Sequence, residues 1–182
     1  NPDVISYYVI AQDLAAIPNI ASNPAAGLVA TDVNTVSTAP TTPNTYLIQN
    51  TLPAGTYNVG AGQTYITLTA AINAYNTSCL GGPIVFQLMD ATYAEAGAMT
   101  IAVNPDASAV NTLTIRPATG VTAAVTATVT GGAVIKILGK YITIDGSNNG
   151  TATRDLTITN TSASTPNVVW IGSTGVTPIT NV

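Results

Sequence analysis

The chain has 182 residues, 4 Lys+Arg and 8 Asp+Glu, so charged residues make up 7% of it and the net charge is -4, against about 25% charged residues in ordinary soluble domains. The basic inventory is Arg116, Lys136, Lys140 and Arg154, too few and too scattered to neutralise a phosphate track or hold an anionic membrane surface. A hydrophobic fraction of 46% and a mean hydropathy of +0.36 exclude disorder, while Thr, Asn, Gly or Pro interrupts every apolar run before it reaches the ~18 residues of a spanning helix.

With no His at all, the commonest neutral-pH acid/base group and zinc ligand are missing. The lone Cys79 excludes an internal disulfide and a Cys-rich metal site. The opening Asn1-Pro2-Asp3 has no initiator Met, basic segment or apolar leader, and the chain is read as a piece of something longer.

In chain order, residues 1–32 hold one strong strand pattern, Val4 to Gln12, rich in β-branched and aromatic side chains, and a weaker one, Gly27 to Thr31. Two such strands cannot build a core, so this region is expected to be the C-terminal strand region of a preceding β-sandwich-like module, or an exchanged strand. Residues 33–54, with Pro40, Pro43 and Pro53 among Thr, Ser and Asn, read as an extended linker carrying a short strand at Thr45 to Ile48. The remainder, 55–182, opens with a strand at Thr56 to Val59. There Leu68, Ala71, Ile72 and Tyr75 recur at helical spacing behind a candidate N-cap, Thr67, which predicts one short amphipathic helix over 68–76.

After that helix only short alternating segments recur, around Phe86, Ile101, Leu113, Val125, Ile135, Ile142, Ile158 and Val169, separated by turn-rich corners such as Asn104-Pro105-Asp106 and Gly172-Ser173-Thr174-Gly175. Grouped in threes they repeat every 26 to 31 residues, Phe86 leading to Leu113 and Ile142, and Ile101 to Ala127 and Ile158. A spacing kept on two faces at once predicts a solenoid. The expected fold is all-β, a right-handed parallel β-helix of about three to four turns with one short N-terminal capping helix. An antiparallel β-sandwich is the alternative, and it lacks the tight Asn-Gly hairpin turns it needs, Asn149-Gly150 excepted.

The stretches Gly62 to Ala71, Gly82 to Leu88, Asn111 to Pro117 and Tyr141 to Gly150 resemble right-handed parallel β-helix segments of very large secreted surface proteins of Bacteroidota. The upstream Tyr7 to Asp13 is similar to the last strand of the immunoglobulin-like or fibronectin-like modules that precede them. The resemblance implies export by type IX secretion and display as an adhesin or filament module, and names no ligand. The sorting domain such a protein carries is not evident here, which again points to a fragment.

Glycan-cleaving β-helices use clustered carboxylates, because an acid and a base or nucleophile must be held at a fixed separation. Asp90, Glu95, Asp106, Asp145 and Asp155 are the solenoid's only carboxylates. Asp90 and Asp145 follow strands of one inferred face two turns apart, ~10 Å at ~4.8 Å per turn, at or beyond the wide inverting distance. No aromatic or basic platform flanks them, and no catalytic or cofactor-binding residue is assigned.

Asp145, Ser147 and Asn149 precede Gly150 in part of a calcium-loop pattern, with Asp155 nearby, but the bidentate Glu is replaced by Leu156. An Asx/Gly-rich corner that caps its own backbone is the preferred reading, with calcium as the alternative. Thr112/Thr114, Thr126/Thr128 and Thr157/Thr159 form Thr-x-Thr pairs, read as good β surface rather than an ice-binding array. Lys136 and Lys140 receive no role, Trp170 is read as a wall packer, and the Asn76, Asn149 and Asn160 sequons as incidental.

The whole reads as a non-catalytic extracellular structural or adhesive module. Its expected partners are other subunits or adjoining modules, met at the 5–12 strand and the 178–182 end, and surface glycans. A carbohydrate-binding or carbohydrate-cleaving domain is the rival.

Overall fold

A computed structural model of the chain describes residues 3–175 and 179–182, and it divides into two compact units, Asn1–Gln49 and Asn50–Val182. In the first unit, β1 (Asp3–Tyr7) pairs antiparallel with β6 (Asn44–Ile48), β2 (Val9–Gln12) with β3 (Ile20–Asn23), and β4 (Val29–Ala30) with β5 (Val36–Thr38). The expected single strand over 5–12 is therefore two strands that part at Tyr8, and both are paired within their own unit. Asp13 closes the β2–β3 turn by accepting hydrogen bonds from the main-chain N–H groups of Ala15 and Asn19 and from the Asn19 amide. Those bonds, the Asn19 side chain first, hold its carboxyl below the usual range. None of the described residues of this unit joins the hydrophobic core, as expected of two-stranded ribbons.

The second unit is a parallel β-solenoid. After β7 (Thr51–Val59) and α1 (Leu68–Thr77) come β8 (Cys79–Leu88), β9 (Thr92–Ala94), β10 (Met99–Ile101), β11 (Leu113–Pro117), β12 (Ala123–Ala127), β13 (Ala133–Ile137), β14 (Ile142–Ile144), β15 (Leu156–Asn160) and β16 (Asn167–Ile171). They form three parallel sheets, ordered β7-β8-β11-β14, β9-β12-β15 and β10-β13-β16. Each full turn thus contributes one strand to each of three faces, not two. The expected pairing of Phe86 with Leu113 is out by two residues, since Phe86 lies opposite Ile115 and Leu113 opposite Ile84 and Ile142. Ile101 leads to Ile137 and Ile171, while Ala127 pairs with Asn160. The source of the error is β9, whose three residues carry a single buried side chain, Tyr93, and so leave no periodic signal.

The 33–54 linker is also corrected. It contains β5, β6 and the start of β7, and the boundary falls at Gln49/Asn50. Pro53 is tolerated inside β7 because this strand is the sheet's outer edge, where a missing N–H breaks no ladder, and because the register shifts between Pro53 and Gly55. Opposite that irregularity Gly82 has φ +151, and a Cβ there would stand 2.6 Å from the Ala54 Cβ, so only glycine fits.

Alternation sets the core. Phe86, Leu113, Ile115, Ile101, Ile135, Ile137 and Val125 point inward and are buried. At the N-terminal end Tyr57, Tyr65 and Phe86 pack as tilted and edge-on rings with centroids 5.9 to 6.3 Å apart. The helix spans Leu68–Thr77 with Thr67 as its N-cap, whose hydroxyl accepts from the Ala70 N–H at 3.1 Å, and buries Leu68, Ala71, Ile72 and Tyr75, the four residues its spacing marks.

Candidate functional site

The solenoid carboxylates are each bound to main-chain N–H groups. Asp90 accepts from Ala61 at 2.7 Å and Asp106 from Leu80 at 3.0 Å. Glu95 is 7% exposed and accepts from the Leu68 and Thr69 N–H groups, so it caps the first turn of α1, where the unpaired N–H groups and helix dipole favour a negative charge. Asp145 accepts from Ser147 at 2.9 Å and Asp155 from Asn148 at 3.0 Å.

Asp90 and Asp145 do follow strands of one sheet, β8 and β14, with β11 between them. Because Phe86, Ile115 and Ile144 share one level, Asp145 comes one residue after that level, whereas Asp90 comes four residues after it, past the end of β8 at Leu88. They are separated by β11 and bonded to different corners, Asp90 to the Ala61 N–H and Asp145 to the Ser147 N–H.

Asp145, Ser147, Asn149 and Asp155 do gather in one corner, and there they bond to the corner itself. The buried Ser147 hydroxyl donates to Asn149 Oδ1 at 3.0 Å, the same oxygen accepts from the Thr151 N–H at 3.0 Å, and Asn148 Nδ2 donates to the Val121 carbonyl at 3.0 Å. These are turn-forming bonds of short polar side chains. Among the described residues no group of three or more His, Cys, Asp or Glu side chains is placed to hold a metal ion.

Outside the barrel-like core, β11 turns Arg116 outward beside Gln87 of β8. With Pro117, Thr119 and the corner residues Asn148 and Asn149 these line a polar groove of about 160 Å³. Among the described residues the Arg116 guanidinium makes no hydrogen bond or ion pair, and its side chain lines this groove. The sequence signal for it was parity: Arg116 alternates with Ile115 and Pro117, both buried.

Trp170 is the second outward feature, and here the wall-packing expectation is corrected. Val169 and Ile171 stand opposite the inward Ile135 and Ile137, so Trp170 shares the outer face with Lys136, is 51% exposed, and has the Lys136 ammonium 4.6 Å from its ring centroid. Lys140 likewise lies 5.6 Å from the Tyr141 ring. Both lysines face rings, in the cation–π arrangement.

Of the sequons, Asn160 uses its amide to bridge Val129, Gly132 and Asn167 carbonyls, and Asn76 donates to the Thr100 carbonyl. Both amides are engaged in the fold. Of the 178–182 end, Pro178 lies outside the described residues, and Asn181 offers its carbonyl to the Ile142 N–H at 3.2 Å.

Comparison with known proteins finds no matching family model, no matching curated protein and no matching solved structure.

Proposed function

We propose that this chain is a non-catalytic structural and adhesive module of a bacterial surface protein or filament, displayed outside the cell, in which the solenoid acts as a stiff spacer. The observation that carries this reading is that all five carboxylates of the solenoid are bound to main-chain N–H groups, which employs the acid/base pair a glycan-cleaving β-helix would need as parts of the scaffold. The stacked parallel ladders supply stiffness through continuous backbone hydrogen bonding. Partners are other subunits or adjoining modules, reached at the 178–182 end and at the β1–β6 ribbon, where Ile5, Tyr7, Tyr46 and Ile48 stand exposed. Surface glycans are the further partner, and the resemblance to type IX-exported proteins supports the location.

A glycan array combined with a reducing-sugar assay tests this. The account expects no turnover, and an Asp145→Ala change that alters stability alone. Turnover, or saturable binding that Asp145→Ala abolishes, overturns it. A carbohydrate-binding role has one specific observation in its favour, the open Arg116 groove; binding lost in Arg116→Ala and kept in Asp145→Ala would place the sugar there.

A further inference from the structure

The two ends of the solenoid differ. At the N-terminal end the exposed edge of β10 is occupied by a side chain of α1: Asn76 donates to the Thr100 carbonyl at 2.8 Å and accepts from the Ala102 N–H at 2.9 Å, so one amide reproduces both ladder bonds of a missing strand. Glu95 fixes the start of that helix, and Asn104 fixes its end by donating to the Tyr75 and Ser78 carbonyls. This end is closed.

Nothing comparable covers the other end among the described residues. In the inward column of the third sheet, Ile101 and Ile137 are 0% and 2% exposed, but Ile171 in the last turn is 54% exposed; Met99 and Ile135 are 2% and 1%, and Val169 is 43%. Ile142, Ile144, Val169, Ile171 and Val182 line an apolar hollow of about 490 Å³ there. Side chains with the alternation of a core residue thus have a neighbour on one side only.

The last residues show what fits. The Ile84 N–H donates to the Thr112 carbonyl, the Leu113 N–H to Tyr141, and the Ile142 N–H to Asn181. The same bond is repeated from turn to turn, and it gives Val182 the place that Leu113 and Ile142 hold in their own turns. We propose that the open end is a seat for one more parallel solenoid turn, polypeptide whose first strand runs along β14 in the register Val182 opens and whose later strands cover β15 and β16. This rests on the proposed contact of the 178–182 end with an adjoining module and names that module as a β-solenoid turn. At the opposite end the edge of β10 is already taken by Asn76 of α1, so the third sheet offers no equivalent seat there.

The test compares the 182-residue chain with two extended chains, in which Val182 is followed by a copy of residues 114–141 or of residues 85–112, by amide hydrogen exchange at β14, β15 and β16. The expected result is faster exchange in these strands than in β11 to β13 of the parent, and a slowing of at least about tenfold in one or both extensions. Two results overturn the proposal: parent β14–β16 amides already as protected as β11–β13, with or without a dependence on concentration that marks a second copy, or no added protection in either extension. Exchange at these strands reads packing alone, so it stands apart from whether glycans bind.

Discussion

At the scale of single residues, the buried side-chain nitrogen and oxygen atoms of the described residues are matched to partners with one exception. The Tyr75 hydroxyl is buried with no hydrogen-bond partner among the described residues, and burial pushes its ionisation from an ordinary value of 10 up to about 12. An unsatisfied buried hydroxyl costs on the order of 1 kcal/mol or more, so Tyr75→Phe is expected to be neutral or to stabilise the fold by up to about 1 kcal/mol in chemical denaturation. The sign in alkali follows from the same shift. The folded state keeps its proton to higher pH than the unfolded chain does, so stability is intact below pH 10 and falls as pH rises from 10 towards about 12. Tyr75→Phe should flatten that fall, and an unchanged alkaline profile would contradict this account of the residue. Glu95 is the opposite case, a buried carboxylate fully employed at a helix start. Replacing it with Ala strands the Leu68 and Thr69 N–H groups and should cost about 1–3 kcal/mol, read as a lowered denaturation midpoint.

At the scale of elements, legibility followed the physical signal each element carries. The helix was readable because its four buried residues fall on one stripe and Thr67 stands where a cap is needed. The repeat was readable because Ile84, Leu113 and Ile142 follow one another at equal spacing along the first sheet. The number of faces was not, because β9 is too short to show alternation, and without it the second and third columns merge. Partners for Asp90, Glu95 and Asp106 were equally hidden: each reaches a main-chain N–H at least 26 residues away in sequence, and no local pattern encodes such a contact. Parity along β16 would have placed Trp170 outside, since its neighbours Val169 and Ile171 are the inward pair. The same columns predict how mutations grade along the solenoid. Ile137→Ala, in a closed turn, should cost about 2–5 kcal/mol, whereas Ile171→Ala in the open turn should cost well under half as much. Equal losses in thermal or chemical denaturation would mean that the last turn is covered after all.

At the scale of the whole molecule, low charge takes on a structural meaning. Stacked parallel strands bring like positions of successive turns to about 5 Å from one another, and the outward ranks of the second sheet are filled by Thr and Ala, as in Thr92-Ala124-Thr157 and Ala94-Thr126-Thr159. A rank of like charges at that spacing would repel along its full length. The two units should also differ in persistence, because the core belongs entirely to the second. Limited proteolysis is expected to cut within residues 13–35 before it cuts anywhere between β8 and β13, and the reverse order would contradict the division of the core. The central claim is the three-faced parallel register, from which the burial columns, the open end and the scaffold role of the carboxylates all follow. Paired spin labels test it directly, one pair at Thr114 and Thr143 on the first face and another at Thr126 and Thr159 on the second, both outward and in register. The account predicts strong dipolar coupling in both pairs, from backbones about 5 Å apart. Coupling absent from either pair, as an antiparallel sandwich would give, contradicts it.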